Sequence, residues 1–207
     1  MEAGIELVVA GAGGFGREVA DWAEQAGWRV AGLIDDRADA LTGHPSRFRL
    51  LGPIHSFQPE PQHRVVVAIA KPSAKAAVWE RLAASGASFG SVIHPSVVMG
   101  SGVTTGPGFI ACPGVTLTTA ITFGRGVSLN LHCCIGHDCR LGDFCHLNSY
   151  TQLGGGTCFG ERVTSGAHAC VVPGVTVEPD AILGAGAVVI RRVKAGQTVF
   201  GNPARPL

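Results

Sequence analysis

From Met99 onward the chain counts in sixes. Steps of six from Met99 to Val189 visit 16 positions, and 13 of these are Met, Leu, Ile, Val or Phe; the exceptions are Thr105, Ala111 and Ser165. The following residue is Gly in nine cases, among them Gly100, Gly106, Gly124, Gly136, Gly142 and Gly184. Four residues after each large apolar position stands a small or β-branched one in most hexads, as at Val103, Val115, Ile121, Cys139, Val163 and Val175. A helix with 3.6 residues per turn would rotate such a strict period away from any single face. A triangular coil satisfies it. Three hexads make one coil, with the large and the small apolar residue both pointing inwards near a corner and Gly relieving the backbone at the turn. Stacked coils then pair through parallel hydrogen bonds at about 4.8 Å. A Gly-rich β-sandwich is the alternative, and so regular a frame counts against it.

The first ninety residues read differently. Ile5 to Ala10 is a short apolar run ending in Gly11-Ala12-Gly13-Gly14-Phe15-Gly16. Arg17 to Ala26 has helical spacing, with Val19, Ala20, Trp22 and Ala23 on one stripe and Gly27 to stop it. Arg29 to Ile34 is a second strand running into Asp35-Asp36, Val65 to Ile69 a third, and Ala74 to Ala84 a second helix. The expected architecture is therefore an α/β, Rossmann-like domain over residues 1–91, followed by an all-β parallel β-helix over residues 92–207.

Composition fits and narrows this. Hydrophobic residues make up 46% and charged residues 15%, enough for a well-filled core, while 30 Gly and 6% aromatics suit repeated tight turns. The formal net charge is +1 with no basic block, so no concentrated positive face is available for nucleic acid. No run of 18 apolar residues offers a membrane span, and Glu2 and Glu6 flank the first apolar run in a way unlike a signal peptide. Seven cysteines, an odd number, suit reduced thiols in a cytoplasmic protein.

The chemistry concentrates between Leu129 and His146. Ile135 and Leu141 are core positions of the repeat, so His137 and Asp138 fall on the exposed part of a coil, where packing does not call for an imidazole. Neutral His is a base suited to pH near 7, and a neighbouring carboxylate can fix its tautomer. The alternative is a solvated surface histidine. Cys133, Cys139 and Cys145 occupy the small inward position of successive hexads, hence three different walls, and paired C-x-x-C spacing is missing; no metal is expected. Positions 18 apart stack, which puts Asn130 beneath Asn148 and makes a column of His132, Tyr150 and His168, structural or facing a partner subunit.

The N-terminal Gly-rich turn follows a strand and opens a helix, where free amides and the helix end suit a phosphate. Asp35 comes 19 residues after Gly16, at the end of the next strand, where an acid can bind a ribose or a base edge. Too little chain precedes the repeats for the two halves that hold NAD, so a mononucleotide such as a nucleotide-sugar fits better. A turn needed for packing alone is the other reading.

These segments, with Ile93-His94-Pro95-Ser96 and the Gly201-Asn202-Pro203-Ala204-Arg205 ending, resemble the NeuD/PglD family of hexapeptide-repeat sugar acyltransferases over nearly the whole chain. Its motif of His-Asp/Glu-Cys, then Ile/Leu-Gly-Asp-Phe, then His is matched from His137 to His146. The resemblance implies a left-handed β-helix, an exception to the usual crossover hand, and a homotrimer with acetyl-CoA in grooves between subunits. It implies His137 as proton acceptor and Asp138 as the residue raising its basicity. His146, Asn130, Ala167 and Ala185 would contact the acetyl-CoA. Gly13, Gly14, Phe15, Asp35, Asp36 and Ala70 would hold a nucleotide-sugar. Two departures touch that pocket: the family often has His at the place of Phe15, and Ile-Gly-Asn/Asp-Asn where this chain reads Ile69-Ala70-Lys71-Pro72. The implied activity is N-acetylation of a nucleotide-linked amino-sugar of 4-amino-4,6-dideoxy type. The rivals are O-acetylation of a sialic-acid-type sugar, a non-catalytic trimeric scaffold, and an NAD oxidoreductase.

Overall fold

The computed structural model describes residues 4–207. Its N-terminal part is a four-stranded parallel sheet. The strands are β1 (Glu6–Ala10), β2 (Arg29–Ile34), β3 (Leu50–Gly52) and β4 (His63–Val67), in the order β3-β2-β1-β4. Helix α1 (Gly14–Gln25) follows β1, and α2 (Pro72–Ala84) follows β4 with Pro in its first turn, where the missing N–H costs nothing. Strand alternation divides the core between the two helices. Leu7, Val9 and Val66 pack with Val19, Ala20 and Ala23 of α1. Val8, Ala10, Val65 and Val67 pack with Trp79 and Leu82 of α2. The helices begin three and two residues earlier than the spacing predicts. The three-residue strand β3 was not anticipated, because Leu50-Leu51-Gly52 is too short and too half-buried to carry a pattern.

From Val92 the chain winds into a left-handed β-helix. Two-residue strands alternate with two-residue turns and stack into three walls of eight, six and five strands. Register is set by the eighteen-residue coil: Ser128 pairs with Ile110 and His146, and Ile135 with Leu117 and Leu153. The inward residues match the hexad rule. Leu117, Leu129, Ile135, Leu141, Leu147 and Leu183 are buried with the small residues Cys133, Cys139, Cys145, Ala169 and Ala181. Where Ser165 takes a large apolar position, its Oγ lies 2.7 Å from Thr151 Oγ1 inside the core. A strand at Arg205–Pro206 turns back antiparallel on Thr198–Phe200 and closes the eight-stranded wall.

The two parts share a seam. Outward side chains of the eight-stranded wall, Val92, Ile110, Ser128 and His146, are buried, because the sheet domain sits on them. Val92 and Ile110 join the α1 core, and His94 Nε2 lies 2.9 Å from Gln25 Oε1 of that helix. Outward residues of the other two walls, such as Thr122, Arg140 and Gln152, are exposed.

Candidate active site

His137 and Asp138 form the turn between the six-stranded and five-stranded walls. Asp138 has φ of 60°, the left-handed conformation this corner needs and one that Asp tolerates. That bend brings His137 Nδ1 to 2.7 Å from Asp138 Oδ2. An ionised carboxylate only accepts, so Nδ1 carries the proton and Nε2 presents its lone pair. Both side chains are about two-thirds exposed. The ring lies over Gly155, one coil further on: a Cβ at Gly155 would stand 2.5 Å from His137 Cε1 and Nε2. Gly156 N donates to His137 O at 2.7 Å and locks the two turns together.

The other residues expected along the acyl-donor groove lie elsewhere on the prism. Asn130 follows the strand Ser128–Leu129 of the eight-stranded wall, with Oδ1 accepting from the Leu131 amide at 2.8 Å. Ala167 and Ala185 stack on the edge between the eight- and six-stranded walls, tied by Gly186 N to Ala167 O at 2.8 Å. His132, Tyr150 and His168 stand beside them as a stack of rings 5.0 and 4.8 Å apart. One chain therefore carries His137 on one edge and these small residues on another. His146 faces the sheet domain, 2% exposed, with the Phe15 ring edge-on at 5.2 Å. Burial, and after it the nearby Lys75, lowers its pKa to about 3, so it is neutral at ordinary pH, and its Nδ1 has no partner.

The cleft at the end of the sheet has a volume of about 430 Å³ and collects every residue expected to hold the acceptor: Gly13, Gly14, Phe15, Asp35, Asp36 and Ala70. The turn there depends on glycine. A Cβ at Gly16 would lie 1.8 Å from Gly11 O, and Gly11 has φ of 107°. Asp35 Oδ2 accepts from the Ala12 amide at 2.8 Å and shapes the turn. Burial alone would raise its pKa, but the Ala12 and Arg37 amides and the Arg37 guanidinium hold it below the usual carboxylate value. Asp36 is bound by the His55 amide at 2.9 Å and by Arg81 at 3.5 Å. The first amides of α1 have no acceptor within the helix, which suits a phosphate. Residue-by-residue reading missed Arg37, Ile54, Ile69 and Val78 in this lining; Arg37 and Ile69 lie just past the ends of β2 and β4, the one signal that could have found them.

Thiol chemistry is disfavoured at the buried cysteines. Burial pushes Cys133 and Cys145 up to about 12 and Cys112 further still. Among the described residues no three His, Cys, Asp or Glu side chains gather as a metal set. No helix of the described residues is long and apolar enough to cross a membrane.

A triangular left-handed prism, with a paired His on one corner and a phosphate-type cleft on the attached sheet, defines the class: a hexapeptide-repeat acyltransferase. Comparison with known proteins narrows it. Residues 6–82 match the family model of the PglD N-terminal domain. Perosamine N-acetyltransferase from Caulobacter crescentus, solved as a mutant with CoA and GDP-perosamine, is 31% identical over 98% of this chain and 96% of its own, with a TM-score of 0.89. The acetyltransferase domain of PglB from Neisseria gonorrhoeae, solved with acetyl coenzyme A, is 31% identical over 98% of both chains, with a TM-score of 0.88. WeeI from Acinetobacter baumannii is 27% identical over 98% of this chain and 100% of its own, with a TM-score of 0.86. The chain belongs to the PglD/NeuD family of hexapeptide-repeat sugar acyltransferases.

Proposed function

We propose that this protein transfers an acetyl group from acetyl-CoA to the amine of a nucleotide-linked amino-sugar of 4-amino-4,6-dideoxy type, with His137 as general base. The observation that carries this is the His137–Asp138 pair at 2.7 Å, which leaves a free Nε2 on an exposed corner. It is supported by likeness along almost the whole chain to enzymes crystallised with CoA and GDP-perosamine. The neutral amine attacks the thioester carbonyl carbon; the N–C bond forms and the C–S bond breaks. His137 Nε2 takes the proton lost by nitrogen, and the departing thiolate is protonated to CoA. Asp138 stabilises the imidazolium formed in between. Backbone amides at the coil turns are the donors for the developing oxyanion.

In this reading the acceptor occupies the cleft at Gly13, Gly14, Phe15, Asp35, Asp36 and Ala70. Acetyl-CoA follows Asn130, Ala167 and Ala185 towards His146. His137 and the Ala167–Ala185 edge are on different corners of one prism, so a homotrimer completes the site: one copy supplies the base, its neighbour the groove. Free thiols and these two substrates suit the cytoplasm. A CoA-release assay over UDP-, GDP- and dTDP-linked 4-amino-sugars, with sialic acid alongside, tests the proposal. Release with one of the amino-sugars supports it. Release with sialic acid alone makes the protein an O-acetyltransferase. No release, together with no thermal stabilisation by acetyl-CoA, leaves a scaffold.

A further inference from the structure

Between the sheet domain and the β-helix lies a lysine with no solvent exposure. Lys75, in the first turns of α2, is 0% exposed; its Nζ donates to Gly126 O at 3.1 Å and to Ser128 Oγ at 2.6 Å. Among the described residues it has no ion-pair partner. Two acceptors match the two N–H groups of a neutral amine, whereas an ammonium would keep a third donor dry. Burial pushes its pKa down to about 7, against the opposing influence of the Cys145 and Cys112 thiols.

Packing alone does not explain an amine here. Methionine would fill similar space without the desolvation cost. Trp79 already seats α2, stacked on Phe89 at 3.4 Å and edge-on to Phe144 at 5.6 Å. Apolar contact is non-directional, however, and fixes the helix less sharply than a pair of hydrogen bonds. The two hydrogen bonds of Lys75 set its depth and register.

That register matters for the cleft. Ile69 and Ala70 run directly into α2, Val78 is one turn beyond Lys75, and all three line the cleft. Across the cleft Phe15 rests on His146. Ser128 and His146 are register partners in neighbouring coils. Both walls of the acceptor cleft therefore stand on consecutive rungs of one sheet, Lys75 on Ser128 and Phe15 on His146.

We propose that Lys75 is a positioning residue for acetyl transfer: it fixes the α2 wall of the acceptor cleft against the β-helix without touching either substrate. Its kinetic consequence rests on the acetyl-transfer reading; its structural consequence does not. The test uses full-length Lys75→Met and Ser128→Ala, the second keeping every apolar contact of α2. Amide exchange in α2 should rise in both, and the melting temperature of Lys75→Met should hold or increase. The acceptor kcat/KM should fall about 10- to 100-fold, as for a misplaced substrate, with CoA affinity unchanged. Wild-type exchange and kinetics in both variants would overturn the proposal. So would a lowered melting temperature with unaltered kinetics, which marks a purely structural lysine. Should wild-type protein acetylate no amino-sugar, the acetyl-transfer reading fails, while the exchange data still decide whether Lys75 fixes that wall.

Discussion

Neighbours in sequence meet side chain to side chain only where the backbone bends, and the φ of 60° at Asp138 supplies the bend that lets Oδ2 reach Nδ1. What holds the ring from the other side is an absence: Gly155 has no Cβ to push Nε2 away. Its backbone φ is not in the left-handed region, so Gly155→Ala should fold with unchanged melting temperature. The displaced ring should lower kcat about 10- to 100-fold, checked by steady-state kinetics beside a thermal melt. The His–Asp pair was legible from the six-residue frame. Gly155 was not singled out, because Gly154-Gly155-Gly156 reads as a loop; counting eighteen on from His137 is the signal that finds it. His146 was legible as a motif residue but not as a buried one, since its burial comes from the sheet domain packing on that wall. Its folded pKa of about 3 lies below the ordinary 6.5. Below pH 6.5 the unfolded chain takes a proton that the folded chain refuses, so stability should fall as pH drops from 6.5 towards 3. His146→Leu should flatten that dependence in denaturant titrations.

The strands of the β-helix are too short to be stable alone and exist because coils stack in register. That is why the period was readable and the shortest irregular pieces were not. The hexad announces its own wall positions, whereas β3 has three residues and no repeat to support it. One exception to the hexad has a local explanation. Ser165 stands at a large apolar position because Thr151 Oγ1 meets its hydroxyl at 2.7 Å, while Thr151 also contacts Asn148 O at 2.7 Å. Thr151→Val strands the buried Ser165 hydroxyl and should cost about 1–3 kcal/mol. Adding Ser165→Ala to it should recover part of that loss, measured by chemical denaturation as a double-mutant cycle.

At the scale of the whole molecule the β-helix is a frame with two useful corners and one occupied wall. The sheet domain covers the outward side chains of the first four strands of the eight-stranded wall and rests its cleft walls on Ser128 and His146. His137 and the small-residue edge at Ala167 and Ala185 lie on separate corners. The repeat made each of these positions assignable to a coil, but the packing of one domain on one wall had no periodic signature and only the structure gives it. If neighbouring copies complete the site, His137→Ala and Ala167→Trp should each be inactive as homotrimers. Mixed trimers should regain activity at junctions where both sides are intact; no recovery would put the whole site within one chain. The most direct test of the account is kcat of His137→Ala on the best amino-sugar acceptor, alongside its affinity for acetyl-CoA. We expect kcat to fall roughly 10²- to 10⁴-fold with binding retained, whereas an unchanged kcat would show that another group takes the proton.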